Sequence, residues 1–354
     1  MATTFAVPDG RVAMAATLYT GTGAGSPQSI SNAVNAVSFQ PGLVWVKARN
    51  ATGNNAVTDS VRGAYLQIIT QLANAEANYS PYGVTAFNTN GFGVNDDNAG
   101  NYSVNGAAGG TYSGTPPNYV AWQWKAGGTA VSNTAGTITS SVSANTTAGF
   151  SVVTYTSTGV NATVGHGLGV TPSLILVKSR GIVLSWLVYH ASVGNTKYLV
   201  LNTTAAEAVD STVWNNTSPT ASVFTVGTAF GSNTYVAYCW APVAGYSAFG
   251  SYTGNGSADG PFIYTGFRPR YVLWKRTDQA DSWVLRDTAR DPYNQGQSTL
   301  FAESAAAEST ASRGLDYLSN GFKLRQSIAE GNASGGTYIY AAFAENPLKY
   351  ANAR

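Results

Sequence analysis

Charge is the scarcest property of this chain. Only 10% of its 354 residues are Asp, Glu, Lys or Arg, against roughly 25% in an ordinary globular domain. The formal net charge is +2, and the basic residues are scattered. A basic stripe for nucleic acid is therefore missing, and so is a polybasic patch for a membrane surface. No apolar run approaches the ~18 residues of a membrane span. Met1-Ala2-Thr3-Thr4-Phe5 lacks the basic and apolar regions of a secretory signal. The single cysteine, Cys239, excludes a disulfide within the chain. It sits in the apolar stretch Tyr235–Trp240 and reads as a small buried hydrophobe. Folding in a reducing cytoplasm is the expectation. There are two histidines, His166 and His190, with no cysteine near either. A zinc site needs about four ligands at recognisable spacing, so no metal or other cofactor is expected. His166, between glycines, reads as a turn residue, and His190 as a hydrogen-bonding group at a strand end.

What is abundant is Gly (39), Tyr (21), Phe (13) and Trp (8). Few charges with many aromatics point to extended β-structure rather than disorder. The stretch Pro269-Arg270-Tyr271-Val272-Leu273-Trp274-Lys275 reads as a turn running into a strand, with Pro269 fixing φ. It occurs three times. Pro41-Gly42-Leu43-Val44-Trp45-Val46-Lys47 and Pro172-Ser173-Leu174-Ile175-Leu176-Val177-Lys178 share its pattern. In each, Lys follows Pro by six positions, which marks a repeat. The terminal Lys47, Lys178 and Lys275 are expected to guard a sheet edge against pairing.

The correspondence continues. Fourteen positions after the Pro stand Asn55, Trp186 and Trp283; eighteen after it stand Asp59, His190 and Asp287. Glu76 and Glu207 follow by 35, Glu308 by 39. A tyrosine-led strand closes each copy, at Tyr119, Tyr235 and Tyr338. Strands are kept while loops vary, as surface loops tolerate insertion. The expected fold is all-β, three tandem related β-sandwich (jelly-roll-like) units at residues 1–130, 149–243 and 244–354. Residues 131–148 form a Ser/Thr/Gly linker or a lead-in strand. Ala64–Leu72 fits a helix by the spacing of Leu66, Ile69 and Leu72, but the repeat favours a strand.

No pattern points to catalysis. Asp281, Asp287 and Asp291 flank Trp283, and a glycosidase would need two carboxylates across a cleft. Residues recurring in every copy are explained more simply by the fold. Asp287, beside Arg286 and Arg290, reads as a surface or partly buried ion pair. Asp96-Asp97-Asn98 offers oxygen donors for Ca²⁺ without the spacing of an EF-hand loop. Tyr79, Tyr82, Tyr102 and Tyr112 lie in turn-rich stretches of the first unit. They are the candidate contacts to a glycan or protein partner, since loops on rigid sandwiches commonly carry binding.

The third unit carries a specific resemblance. Gly254-Asn255-Gly256-Ser257-Ala258-Asp259-Gly260-Pro261-Phe262 leads to Thr265-Gly266-Phe267-Arg268-Pro269. Later come Leu318–Arg325 and Gly335–Pro347. Together with Gly165-His166-Gly167-Leu168-Gly169 and Phe5–Gly10, these stretches resemble a repeated β-domain of unknown function in virion proteins of marine and cyanobacterial tailed phages. The resemblance implies a non-enzymatic structural protein of the virion, assembled in the host cytoplasm. It is most simply a tail-fibre or tail-appendage component contacting the host surface. A capsid decoration protein is the alternative, and a polysaccharide-degrading spike the remote one. Other virion proteins and a host-surface glycan are the implied partners, and a homotrimer the implied assembly. No catalytic residue comes with the resemblance.

Overall fold

A computed structural model describes residues 5–96, 104–106, 116–311 and 313–345. Among these the α-helices are the four-residue turns Ser211–Trp214 and Ala329–Asn332. The rest of the described residues form antiparallel sheet, two 3-10 turns (Gly10–Val12 and Thr228–Phe230) and loop, as expected of an all-β sandwich protein. The described residues form three large sheets, of six, eight and five strands, and three small ones.

One strand order runs through the large sheets. An opening strand (Met14–Thr20, Phe150–Thr156 or Ser247–Thr253) pairs with the closing strand (Asn118–Trp124, Thr234–Trp240 or Thr337–Ala344). The closing strand pairs in turn with the strand of the Pro–Lys motif (Leu43–Ala48, Leu174–Ser179 or Pro269–Arg276). A return strand follows: Ala56–Asp59, Leu187–His190 or Trp283–Asp287. Pro41 and Pro172 stand two residues before their strands, and Pro269 is the first residue of its own. These are positions where a missing N–H costs no ladder bond. Leu66–Ile69 is a strand. The segment at 131–148 contributes Val131–Asn133 and Ser140–Asn145, which extend the second large sheet beyond Phe150–Thr156.

The alternation of the closing strands decides the layering. Val120, Trp122 and Trp124 lie in one hydrophobic core with Val236, Tyr238 and Trp240, and with Ile339, Ala341 and Phe343. The intervening Tyr119 and Ala121 face the small sheet of Gln28–Ser31, Gly83–Asn88 and Gly91–Asn95. Tyr235, Ala237 and Cys239 do the same toward Ala162–Gly165 and Val223–Val226. In the third group Phe322, on the small sheet, meets Tyr340 at 5.6 Å between ring centroids. So three large sheets are the walls around a common core, and each carries a small sheet outside. Trp124 sits 5.7 Å from Trp240 and 5.6 Å from Phe343, so three equivalent positions meet at the centre. Outside, tyrosines stack at equivalent places: Tyr19 on Tyr119 (5.0 Å), Tyr155 on Tyr235 (5.5 Å) and Tyr252 on Tyr338 (4.8 Å). The N-terminal stretch crosses one end, where Val7 enters the common core. There Gly10 lies so close to Ala344 that a Cβ would stand 2.2 Å from its carbonyl oxygen.

The motif strands are buried on both faces, all six residues of Leu43–Ala48 and of Leu174–Ser179 included. Such strands read as unbroken apolar runs. This overturns the edge-guard role expected of the lysines. The motif strand is interior to its sheet, so Lys47, Lys178 and Lys275 are fully buried. Each ammonium donates to carbonyl oxygens, one of them on another sheet group. Lys47 reaches Ala305 (2.8 Å) and Gly53 (2.6 Å). Lys178 reaches Ala73 (3.0 Å) and Ser179 (3.1 Å). Lys275 reaches Thr204 (3.2 Å) and Arg276 (2.6 Å).

Burial lowers these lysine pKa values from the usual 10.5 to about 7 for Lys47 and about 8 for Lys178 and Lys275. Between the folded and unfolded values the unfolded chain binds more protons, so stability rises with pH from about 7 toward 10. Above that, phenols of the unfolded chain ionise while buried ones such as Tyr155 and Tyr252, held up by burial, do not, and the gain reverses. The urea midpoint is expected to be higher at pH 9.5 than at pH 7. A lower midpoint at pH 9.5 would contradict the buried, desolvated state of the lysines.

Candidate functional site

The residues that recur in the sequence lie at the seams between walls. Asn55 Nδ2 donates to the carbonyls of Phe301 (3.2 Å) and Ser304 (2.9 Å). Trp186 Nε1 donates to that of Ile69, and Trp283 Nε1 to that of Val200, both at 3.0 Å. The backbone amides of Glu76, Glu207 and Glu308 donate to Arg180 (3.0 Å), Thr277 (2.9 Å) and Arg49 (2.6 Å) carbonyls. First group meets second, second meets third, and third meets first. The contact is heterologous and its rotation closes, as in a ring of three subunits.

Two seams carry the same charged cluster. At the first–second seam Asp59 accepts from the Arg62 amide (2.8 Å), the Arg62 guanidinium and the Tyr238 hydroxyl (2.8 Å). Arg62 also pairs with Glu76 (2.8 Å), which Arg180 reaches from the second group (2.9 Å). At the third–first seam Asp287 accepts from the Arg290 amide (2.9 Å), Arg290 Nε (2.6 Å) and Trp122 Nε1 (2.9 Å). Arg290 pairs with Glu308 (2.9 Å), which Arg49 reaches from the first group (2.8 Å). Asp287 is fully buried, not a surface pair. Burial alone would raise its pKa, but Arg290 and its hydrogen bonds outweigh that and hold it below the usual carboxylate value. Glu76 and Glu308 are lowered in the same way: burial opposes, and their arginine partners prevail.

The second–third seam is built differently. His190 stands where the others have Asp, and Val193 where they have Arg. His190 ends its strand. Its Nδ1 accepts from the Ser192 amide (3.1 Å), so Nε2 carries the proton toward the Tyr340 carbonyl oxygen, 3.2 Å away. Burial pushes its pKa down to about 4. Glu207 turns to Lys197 of its own sheet. His166 is a buried turn residue whose Nδ1 accepts from the Leu168 amide (3.2 Å). Among the described residues no three His, Cys, Asp or Glu side chains converge. Cys239 is buried, and burial pushes its thiol up.

The predicted contact residues fall elsewhere. Tyr79 and Tyr82 are half-buried beside the short edge strand Ala77–Asn78. The Tyr79 amide donates to the Tyr65 carbonyl (3.0 Å) and that of Tyr82 to the Tyr79 carbonyl (2.7 Å), which sets them in a tight turn. Tyr102 and Tyr112 lie outside the described residues, as do Asp97 and Asn98. Asp96 is buried, and its carboxylate accepts from the Asn105 amide (3.3 Å). Among the described residues the most exposed aromatics are on the third group: Tyr293 (83%) and Tyr264 (63%), with Phe262 at 44%. Sequence reasoning misses them by looking for binding chiefly in the longest loop. The alternation Phe262-Ile263-Tyr264, with only Ile263 buried, is the signal that could have found them. A groove of ≈ 820 Å³ opens between the first and second groups beside Pro41, Lys125 and Asn145. Its walls are mostly small side chains and backbone.

The class that these features define is an all-β protein of packed antiparallel sheets, two of whose seams are closed by buried Asp–Arg–Glu clusters. Within that class the chain belongs to the family described as a domain of unknown function, DUF7483, whose model matches residues 12–347. That one match spans all three sheet groups. No curated protein matches the chain.

Removing one partner of a buried ion pair leaves the other uncompensated, at a cost of about 3–5 kcal/mol. Asp287→Ala is expected to lower stability by about that much, while Lys197→Ala, at a half-exposed pair, leaves the urea midpoint nearly unchanged. Equal midpoints for the two variants would remove the seam's structural role.

Proposed function

We propose that the protein is a non-enzymatic structural component of a tailed-phage virion, a tail-fibre or tail-appendage part that contacts the host surface. The observation that carries this reading is where the ionisable groups go. Asp59, Arg62, Glu76, Asp287, Arg290 and Glu308 are all committed to joining walls, and none is left facing a cleft. Their chemistry serves rigidity. A rigid body with low charge and loops of unequal length is suited to present contact residues, and the likeness to phage virion domains supplies the setting. Exposed Tyr264 and Tyr293 join Tyr79, Tyr82, Tyr102 and Tyr112 as the contact set for a glycan or protein partner. A three-way arrangement of sheets is built within one chain, and a homotrimer of such chains is the assembly that goes with this role.

The same internal arrangement favours a second reading, decoration of a capsid. One chain presents three related walls around a centre, a shape that a threefold position on a shell accepts.

Antibody-gold labelling of intact particles separates the two. Labels on the tail, together with reduced phage adsorption to cells pre-incubated with the purified protein, are expected. Labels confined to the head would transfer the role to capsid decoration, and absence of label from particles would end the virion reading.

A further inference from the structure

The opening strands are the outer members of their hydrogen-bonded pairs with the closing strands, and their free sides meet three different fates. In an antiparallel strand the N–H and C=O of one residue point to one side and those of the next to the other. In the third group the Ala344 amide donates to the Tyr246 carbonyl (2.7 Å), so even-numbered residues face the closing strand. Phe249, Ser251 and Thr253 therefore turn their backbone groups outward. Equivalent positions are identified by the stacked tyrosines: Tyr19, Tyr155 and Tyr252.

In the second group this side is occupied. Ser140–Asn145 lies antiparallel along it, with Ser141 opposite Thr154 and Ser143 opposite Val152. In the first group side chains tie off two of the outward carbonyls, one on each side of Leu18. Arg270 Nη2 donates to Ala16 (3.0 Å) and Gln28 Nε2 to Thr20 (2.9 Å). In the third group nothing among the described residues bonds to the outward groups of Phe249, Ser251 or Thr253. Exposed edges are normally protected by Lys, by Pro, by an inward charge or by a bulge. Ser247-Ala248-Phe249-Gly250-Ser251-Tyr252-Thr253 contains no charge and no proline, and its pairing with the closing strand runs without a register break.

We propose that Ser247–Thr253 is an acceptor edge for strand addition. It takes an uncharged, Ser/Thr-rich extended segment of another polypeptide, bound antiparallel through main-chain hydrogen bonds. The chain itself shows which chemistry fits. The segment on the equivalent edge of the second group is Ser140-Ser141-Val142-Ser143-Ala144-Asn145, with small polar side chains and no charge. Main-chain pairing supplies the affinity in this mode of recognition, and alternate side chains supply the selectivity. The partner would lengthen the five-stranded third sheet, as the Ser/Thr-rich hairpin lengthens the second.

The test uses the full chain and a fluorescein-labelled peptide of residues 137–147 (Thr137 to Thr147) as the probe. Saturable anisotropy is expected, with a scrambled peptide binding more weakly. Amide hydrogen exchange at Phe249, Ser251 and Thr253 should slow when the peptide is present. Ser251→Pro removes one outward N–H, a change that an edge strand tolerates. It should weaken binding about tenfold or more, while Ser251→Ala, which keeps the N–H, should bind within about twofold of wild type. Absence of saturable binding at millimolar peptide would overturn the proposal. So would equal affinity for Ser251→Pro with an unchanged melting temperature, or exchange protection located away from this edge. If Ser251→Pro misfolds, the exchange pattern of the wild-type chain decides alone.

Discussion

Three buried lysine side chains hold the arrangement in place. Burying a lysine is unfavourable unless its donors are satisfied, and Lys47, Lys178 and Lys275 are satisfied only with help from a neighbouring sheet group. No one wall therefore completes its own motif strand. The carbonyls that complete it, at Ala305, Ala73 and Thr204, belong to loops that also receive a backbone amide from the same neighbour: Gly53, Leu184 and Asp281 respectively. Each lysine thus fixes the position of one wall against the next, and the third contact returns to the first wall. Because a single chain links the walls, each seam forms at a high effective concentration.

Around that constraint the sequence divides its labour by alternation. One side of each closing strand supplies the common core; the other supplies a separate core beneath a small sheet in the first two groups, and in the third a layer continuous with the common core. That explains why so many aromatics are needed. Each wall is buried on both faces, and large rings fill wide gaps with few residues. It also explains why charge is scarce. Where the interior holds charge it is satisfied locally: by Asp, Arg and Glu together at two seams, around Arg62 and Arg290, and by carbonyl oxygens at the lysines and at Arg286. The second–third seam departs from this rule. His190 and Val193 replace the pair with one neutral ring, so that seam needs less desolvation of charge but depends on His190 staying unprotonated.

Much of this architecture is legible in the amino-acid sequence. The Pro–Lys strands, the tyrosine-led closing strands and the sandwich class follow from local pattern, because period-two burial is written into each segment. The matched positions of Asn55, Trp186 and Trp283, and of Asp59, His190 and Asp287, are visible too. Their purpose is not, since spacing along one chain segment carries no information about which other wall it faces. The lysines mislead for that reason: at the end of an apolar run Lys looks like an edge guard, and only pairing on both sides makes it interior. The contact surface is the least legible part. Tyr79 and Tyr82 are half-buried in a turn, whereas Tyr293 and Tyr264 stand out on the third group.

The central claim is that the three walls are one cooperative body rather than three sandwiches on a string. Differential scanning calorimetry of the full chain at neutral pH addresses it most directly. Interlocked seams predict a single transition whose calorimetric and van't Hoff enthalpies agree. Two or three resolved transitions, one for each sheet group, would contradict the account.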